Sequence, residues 1–442
     1  MISFGSKPPQ DTAGGVKISG EPMLVKLFST VVQQRGSADP NELAARLAAL
    51  ILGYAVKEGV SDVHFDPSDR TVNLRFRVDG QLKDMLTYPK REFPITARIR
   101  VMADFPPQAT TTYTPEDGRF QVSVDGHLVQ FRLSSFPTIF GEKLVLRVLD
   151  MGQNTLNLNA LGFTPDMLNR VRALAYAPSG MFIVGGLTGC GKTTTLCSIL
   201  NARRNEDINI MTLEDPVEYV LPRVCHSQIN VKTGFTFAEG LRTILRQDPN
   251  IVMLGEVRDN ETAEISFRAA MTGHLLFSTV HASSTTSVIH RLLGMGIEPY
   301  MIASSLLGVL AQRLVRKICP DCAQPIAPDI NILHSLIKRN DPNYMKAIVD
   351  IVNRPGACFV KGRGCPACRN TGFRGRTGIF ELLIPNDAMR SFIVGKNGAD
   401  IAELRQIALQ SGLRTLLMDG VEKCHAGITT VEEIAKVVDE TF

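Results

Sequence analysis

Gly186, Gly191, Lys192 and Thr193 occupy the defining positions of the pattern G-x-x-x-x-G-K-[ST], within Gly185-Gly186-Leu187-Thr188-Gly189-Cys190-Gly191-Lys192-Thr193-Thr194. A glycine loop of this length lets successive backbone N–H groups converge on an anion, and a helix that starts where the loop ends adds its positive N-terminal field. Triphosphate binding is the chemistry that suits it. Gly186 through Thr194 would wrap the phosphates, Lys192 would reach the β- and γ-phosphates, and the Thr193 hydroxyl would ligate Mg²⁺.

Two acidic strand ends could complete such a site. Glu214-Asp215-Pro216-Val217-Glu218 follows the apolar run Ile208–Leu213, and Glu256 closes Ile251-Val252-Met253-Leu254-Gly255. Carboxylates at strand ends beside a phosphate loop can order a water or hold a Mg²⁺ shell. Arg258 and Asp259, just beyond, are read as a structural pair. His274 and His281 bracket a further apolar run, Leu275–Val280. A neutral imidazole there could contact the γ-phosphate or sense its loss, and the expectation is stronger for His281 than for His274. Arg98, Arg100, Arg119, Arg132 and Arg147 lie well upstream, and most are read as solvated. The phosphate site shows no obvious arginine of its own. One supplied from elsewhere would contribute of order 10³-fold or more in rate.

Four of the nine cysteines form two knuckles, Cys319-Pro320-Asp321-Cys322 and Cys365-Pro366-Ala367-Cys368, separated by the 42 residues Ala323–Gly364. Four thiolates suit tetrahedral Zn²⁺ with no open position, hence a structural metal that ties a long loop into a subdomain. Neither pair opens a thioredoxin-like helix, so redox chemistry is disfavoured.

These residues need a strand over Met181–Val184 and a helix over Thr193–Asn201 around the glycine loop. The apolar runs that follow alternate with helical segments, the pattern of a mostly parallel sheet. Pro165–Tyr176 reads as a helix. The stretch 318–380 is rich in Cys, Pro and Gly and reads as loop, and 387–442 returns to helix. Upstream, Asn41–Glu58 reads as an amphipathic helix. Thr71–Val78, Phe120–Val124, Leu128–Leu133 and Lys143–Val148 read as strands, with a helix over Phe93–Asp104. The expected organisation is a flexible segment 1–40, an α+β domain 41–150, a polar linker 151–162, and an α/β domain 163–442 that contains the tetracysteine subdomain 318–380.

The 442 residues carry a net charge of +4, with 44% hydrophobic and 21% charged residues. So small a charge gives no electrostatic case for nucleic acid. There is no apolar run of the roughly 20 residues that span a bilayer, and no secretory signal, so a cytoplasmic protein is expected.

The assembled motifs resemble the secretion ATPases that drive type II secretion and type IV pilus assembly. Beyond the phosphate loop, the similarity rests on Thr212-Leu213-Glu214-Asp215-Pro216-Val217-Glu218-Tyr219, on Arg246-Gln247-Asp248-Pro249 running into Gly255-Glu256-Val257-Arg258-Asp259, and on Thr272-Gly273-His274 through His281. Upstream it rests on Ser61-Asp62-Val63-His64-Phe65-Asp66-Pro67, Arg77-Val78-Asp79-Gly80, Pro115-Glu116-Asp117-Gly118-Arg119 and Gly141-Glu142-Lys143. The resemblance implies a RecA-like P-loop ATPase domain preceded by a small PAS-like α+β domain, with a zinc-binding insertion and a helical C-terminal region. It also implies a homohexamer, peripheral on the cytoplasmic face of the inner membrane, that uses ATP, Mg²⁺ and structural Zn²⁺ to work on a polytopic platform protein. By position, Glu214 would orient the attacking water, Glu256 would hold the Mg²⁺ shell, and Arg119 and Arg132 would reach the γ-phosphate. His281 would couple nucleotide state to the sheet. Three features depart from the family pattern: Ala282-Ser283-Ser284 after the histidine box, Asp66 in place of the usual Glu, and the short sequence before Ser61, which suggests an absent or reduced docking domain. The alternatives are a pilus-retraction or conjugation-type ATPase, against which the paired C-x-x-C weighs, a nucleotide-gated scaffold, and a DNA translocase.

Overall fold

Alternation of apolar and charged residues along Thr71–Val78 places Val72, Leu74 and Phe76 in a core and turns Asn73, Arg75 and Arg77 the other way. That period of two organises the first of two compact units, Met1–Gly152 and Gln153–Phe442. The computed structural model describes residues 10–13, 16–34, 39–105, 114–149, 156–327, 342–356, 358–395 and 400–438.

In the first unit, β1 (Gln10–Ala13), β2 (Val16–Gly20), β3 (Asp62–Pro67), β4 (Thr71–Val78), β5 (Gln81–Pro89), β6 (Glu116–Val124), β7 (His127–Thr138) and β8 (Gly141–Leu149) form an antiparallel sheet. Its order is β1-β2-β5-β4-β3-β8-β7-β6. One face is covered by α1 (Pro22–Gln33), α2 (Pro40–Lys57) and α3 (Ile95–Met102), which bury Phe28, Leu47, Ile51 and Ile99 against Phe65, Phe76, Tyr88 and Phe131. The expected flexible segment is therefore corrected over residues 16–34. Strand β2 pairs with β5, and α1 buries Leu24, Val25, Phe28 and Val32. One amphipathic stripe, carried by the apolar patch Met23-Leu24-Val25-Lys26-Leu27-Phe28 and Val32, is enough to dock this helix. Residues 1–9, 14–15 and 35–38 of that segment lie outside the described residues.

The opposite face of this sheet is charged. Cross-strand register lines up Arg119, Arg132, Arg147, Asp62 and Arg77 in one row. Asp62 pairs with Arg147 at 3.1 Å and with Arg77 at 3.4 Å. Arg119 and Arg132 stand directly opposite one another, and among the described residues neither has an ion-pair partner. Arg100 departs from the solvated reading. It is buried and held by Glu116 and Glu142.

Asp66 accepts hydrogen bonds from Lys143 and Arg75. Burial opposes its ionisation, but those bonds and charges outweigh burial and hold its carboxyl below the ordinary value. A depressed carboxylate contributes stability that is full above the unfolded pKa of about 3.9 and is lost as pH falls through the folded value. Melting temperatures of the wild type and Asp66→Asn should differ most above the unfolded pKa of about 3.9 and converge as pH falls below it through the lower folded value. A constant gap across that range would contradict the pairing.

In the second unit, β9 (Gly180–Gly185), β10 (Ile210–Glu214), β11 (Cys225–Gln228), β12 (Ile251–Leu254), β13 (Leu275–Val280) and β14 (Leu306–Ile318) run parallel. After the short pair β15 (Ala323–Pro325) and β16 (Val360–Gly362), β17 (Phe373–Leu383) returns antiparallel to β14. The sheet order is β11-β10-β12-β13-β9-β14-β17. Every residue of β9 and β13 is buried, as a central parallel strand requires. Met181, Ile183 and Leu276 point into one core, and Phe182, Val184 and Phe277 into the other.

Several expected boundaries move. Phe373–Phe380 is strand rather than loop, because β17 pairs with β14 from Gln312–Phe380 to Ile318–Phe373. The cysteine region therefore hangs between two strands of the main sheet and stops short of residue 380. Residues 328–341 of that region lie outside the described residues. Residues 156–162, expected as linker, are packed: Leu156 and Leu158 are buried, and Asn201 Nδ2 donates to the Leu156 carbonyl at 2.9 Å. Residues 150–155 lie outside the described residues, and the helix α4 (Pro165–Ala175) follows the packed segment. The C-terminal helices Leu416–His425 and Val431–Ala435 pack Leu417, Val421 and Ile434 against Val315 and Ile379. Among the described residues, no helix is long and apolar enough to cross a membrane.

Candidate functional site

The phosphate loop leaves the C-terminal end of β9 and runs into α5 (Lys192–Arg203). Gly191 caps that helix with φ 89°, a left-handed conformation that favours glycine. Gly186 is required for close approach, since a Cβ there would lie 2.3 Å from Cys190 Sγ and 3.0 Å from the Gln312 carbonyl. Strand β14 braces the loop from beneath. Gln312 Nε2 donates to the Cys190 carbonyl at 2.8 Å, and its Oε1 accepts from Thr195 Oγ1 at 2.9 Å. Lys192 Nζ lies over the loop and donates to the Gly186 and Leu187 carbonyls at 2.8 and 3.3 Å. Burial, reinforced by Arg313, pulls its pKa down against the opposing pull of Cys190 and Glu218.

Both acidic strand ends lie on this edge of the sheet. β10 pairs with β12, and the Gly255 amide donates to the Leu213 carbonyl at 2.8 Å, which brings Glu214 and Glu256 to neighbouring strand ends. The charges of Glu214 and Glu218 are felt by the buried Cys197 thiol on α5, whose pKa burial already raises. Glu214 is itself almost fully buried. Its Oε1 accepts from Thr212 Oγ1 at 2.6 Å and lies 2.9 Å from His226 Nδ1. Tyr219, in the same acidic segment, brings its hydroxyl to 3.3 Å from Thr194 Oγ1 on α5.

Glu256 bonds to His281 Nε2 at 3.0 Å and pairs with Arg258, which also reaches Asp215 at 3.3 Å. The expected Arg258–Asp259 pair is therefore corrected. Asp259 caps the helix Asn260–Met271 by accepting from the Thr262 amide at 2.8 Å, which leaves Arg258 free to turn to the acidic edge. Burial first, then the charges of Lys192, Arg291 and Arg258, hold the His281 pKa below its ordinary value. A neutral His281 beside a carboxylate, which can only accept, must donate from Nε2. His274 belongs to a turn: its amide and its Nδ1 both approach the Ala269 carbonyl at 3.2 Å.

Lys192, Thr193, Glu214, Glu256 and His281 thus share the second unit, while Arg119 and Arg132 stand on the open sheet face of the first. Sequence reasoning missed Gln312, Arg313 and His226. Arg313 lies beside the phosphate loop. It is buried on β14, donates to the Gln312 and Ser283 carbonyls at 2.9 Å each, and is close enough to Lys192 to depress its pKa. Among the described residues its Nε has no hydrogen-bond partner. The only signal in the sequence was two polar residues interrupting a long apolar run.

The two knuckles meet. Sγ atoms of Cys319, Cys322, Cys365 and Cys368 all lie within 4.8 Å of one another, with separations of 3.9 Å (Cys319–Cys365), 3.8 Å (Cys322–Cys368) and 3.7 Å (Cys365–Cys368). Tetrahedral Zn²⁺ with Zn–S near 2.3 Å sets its sulfurs about 3.8 Å apart, so the donor set fits. Amides of Gly364, Cys365 and Gly372 point at the sulfurs at 3.2–3.3 Å, which favours thiolates. Cys358 is exposed and stands outside the cluster.

A family model described as Type II/IV secretion system protein matches residues 37–436. The Type II secretion system ATPase E of Vibrio cholerae is 39% identical over 398 residues, covering 90% of this chain and 75% of its own. The Type II secretion system protein E of Pseudomonas aeruginosa is 42% identical over 397 residues, covering 89% of this chain and 75% of its own. The Type IV pilus assembly ATPase PilB of Thermus thermophilus is 38% identical over 416 residues, 93% of this chain and 45% of its own. Among solved structures, the pilus retraction motor PilT with bound ADP superposes with a TM-score of 0.60 at 24% identity, over 89% of this chain and 97% of that one. The ATPase DotB of Yersinia pseudotuberculosis gives 0.64 at 20% identity, over 89% and 94%. These two likenesses bear on the fold.

Proposed function

The chain belongs to the type II/IV secretion system protein family, and on that premise we propose that it hydrolyses ATP to power assembly of a type IV pilus or of a type II secretion pseudopilus. The observation that carries the reading is the glycine loop between β9 and α5, with Lys192 over it and two acidic strand ends beside it.

In this reading the loop amides and Lys192 bind the phosphates. Bound Mg²⁺ supplies charge neutralisation at the β- and γ-phosphates, and the Thr193 hydroxyl and Glu256 are the groups that would hold it and its water shell. Glu214 orients a water in line with the γ-phosphorus. The water oxygen bonds to phosphorus as the bond to the ADP oxygen breaks, and the proton of the water passes to solvent by way of Glu214. Arg119 and Arg132, two like charges side by side with no described carboxylate between them, suit an anion such as the γ-phosphate. His281 links the Mg²⁺-side carboxylate to the end of β13 and so couples nucleotide state to the sheet. Zn²⁺ on the four cysteines is structural. The domain plan is the first unit as pre-catalytic domain and the second as motor. The assembly is a homohexamer, cytoplasmic and peripheral on the inner membrane, acting on a polytopic platform protein.

Glu214→Gln keeps the shape of the side chain and removes the base. Phosphate release by the full chain with Mg²⁺ should fall by about 10²-fold or more, with ATP still bound. Turnover that survives this change would remove Glu214 from the mechanism.

A further inference from the structure

We propose that His226 is the positioning residue for Glu214, holding its carboxylate by one oxygen so that the other is presented to water. The inference rests on the reading of Glu214 as the water-orienting base. Parallel pairing of β10 and β11 sets His226 beside Thr212, two residues before Glu214. The His226 and Glu214 side chains are only 8% and 3% exposed, so solvent supplies little of their hydrogen bonding.

The donor–acceptor pattern fixes the tautomer. The Leu221 amide lies 3.0 Å from His226 Nε2, and an amide N–H can only donate. Nε2 therefore offers a lone pair, and the proton of the neutral ring is on Nδ1. Nδ1–H then points between Glu214 Oε1 and Thr212 Oγ1, 2.9 Å from each, and the Thr212 hydroxyl donates to Oε1 at 2.6 Å. Two donors converge on Oε1, while among the described residues Oε2 accepts no hydrogen bond. A carboxylate gripped this way cannot rotate freely about its last torsion, and its unengaged oxygen keeps a defined direction.

The other end of the imidazole governs the acidic segment. Leu221 lies in the connection between β10 and β11 that also carries Glu218 and Tyr219, and its side chain is buried in the core beneath. His226 thus ties the base to the loop that touches α5 through Tyr219 and Thr194.

The test compares two substitutions in the full chain, each read by ATP turnover and nucleotide affinity. His226→Leu fills the slot but has neither donor nor acceptor. It should lower kcat by about 10- to 100-fold and change KM for ATP by less than about 3-fold. His226→Gln carries an N–H donor and a carbonyl acceptor in one side chain, and should recover kcat to within about 3-fold of the wild type. A residue that acts through Glu214 has nothing left to position once the base is gone, so adding His226→Leu to Glu214→Gln should cost little further. Equal losses in the Leu and Gln variants, or full additivity with Glu214→Gln, would overturn the proposal. If Glu214→Gln alone turned over normally, the base assignment would be the failure. Should H226L not fold, H226M carries the same reading, because its unbranched thioether fills the slot without either hydrogen bond.

Discussion

Lys192→Ala is expected to cut ATP turnover by about 10³-fold or more while the protein stays folded. The two halves of that expectation have separate causes. In the fold, among the described residues, Lys192 Nζ bonds only to the carbonyls of Gly186 and Leu187, at 2.8 and 3.3 Å, and the loop keeps its shape by other means. Gln312 grips the Cys190 carbonyl and Thr195, and Gly191 starts the helix in a conformation that does not involve the lysine. Removing the ammonium also relieves its repulsion with Arg313, which adds to burial in depressing the lysine pKa. The stability change should therefore be within about 1 kcal/mol, a shift of a few degrees in melting temperature. Catalytically, the lysine supplies a point charge where negative charge builds on the leaving phosphates, and the loop amides alone replace it poorly. Phosphate release and calorimetric titration of ATP, alongside a melting curve, read both halves. A folded variant with normal hydrolysis would displace the site from the loop.

How much of this was legible depended on whether a residue's role was local. The glycine loop, the acidic strand ends and the cysteine knuckles are written contiguously, each with its positioning element beside it, so they could be read in order. His226, Gln312 and Arg313 act through pairing between strands distant in sequence. Gln312 reaches Cys190 across 122 positions, and no local pattern announces that contact. Strand β14 was hidden for a second reason: a 13-residue, largely apolar segment reads equally well as a buried helix. His226 sits on a four-residue strand with no fully buried residue, too short for alternation to register. The helix Pro22–Gln33 failed differently. Its stripe was visible as an apolar patch, but nothing local says whether such a stripe packs on its own domain or on a partner.

Changing Cys365 and Cys368 to serine together should abolish zinc binding and loosen the chain between Cys319 and Gly372, with less effect beyond. The size of the local effect follows from what holds that segment. Two short 3-10 turns, Pro320–Cys322 and Pro366–Cys368, and the three-residue strands β15 and β16 bury little apolar surface of their own. Structural Zn²⁺ contributes about 10–16 kcal/mol in small zinc domains, far more than a pair of three-residue strands can supply. The effect should stop at the sheet because β14 and β17 pair directly from Val309–Leu383 to Arg316–Arg376 and are backed by Ile379, Leu417 and Val421. Serine is a fair probe. It preserves the size of the side chain but not the soft thiolate, and a hydroxyl does not deprotonate near neutral pH to take its place. Metal analysis of the purified wild type should give about one zinc per chain, and the double variant none. Hydrogen exchange should then show protection lost at Ala323–Pro325 and Val360–Gly362 and retained at Gly180–Gly185. If the variant kept its zinc, or lost it with no change in exchange between the knuckles, the cysteines would not be what holds that segment.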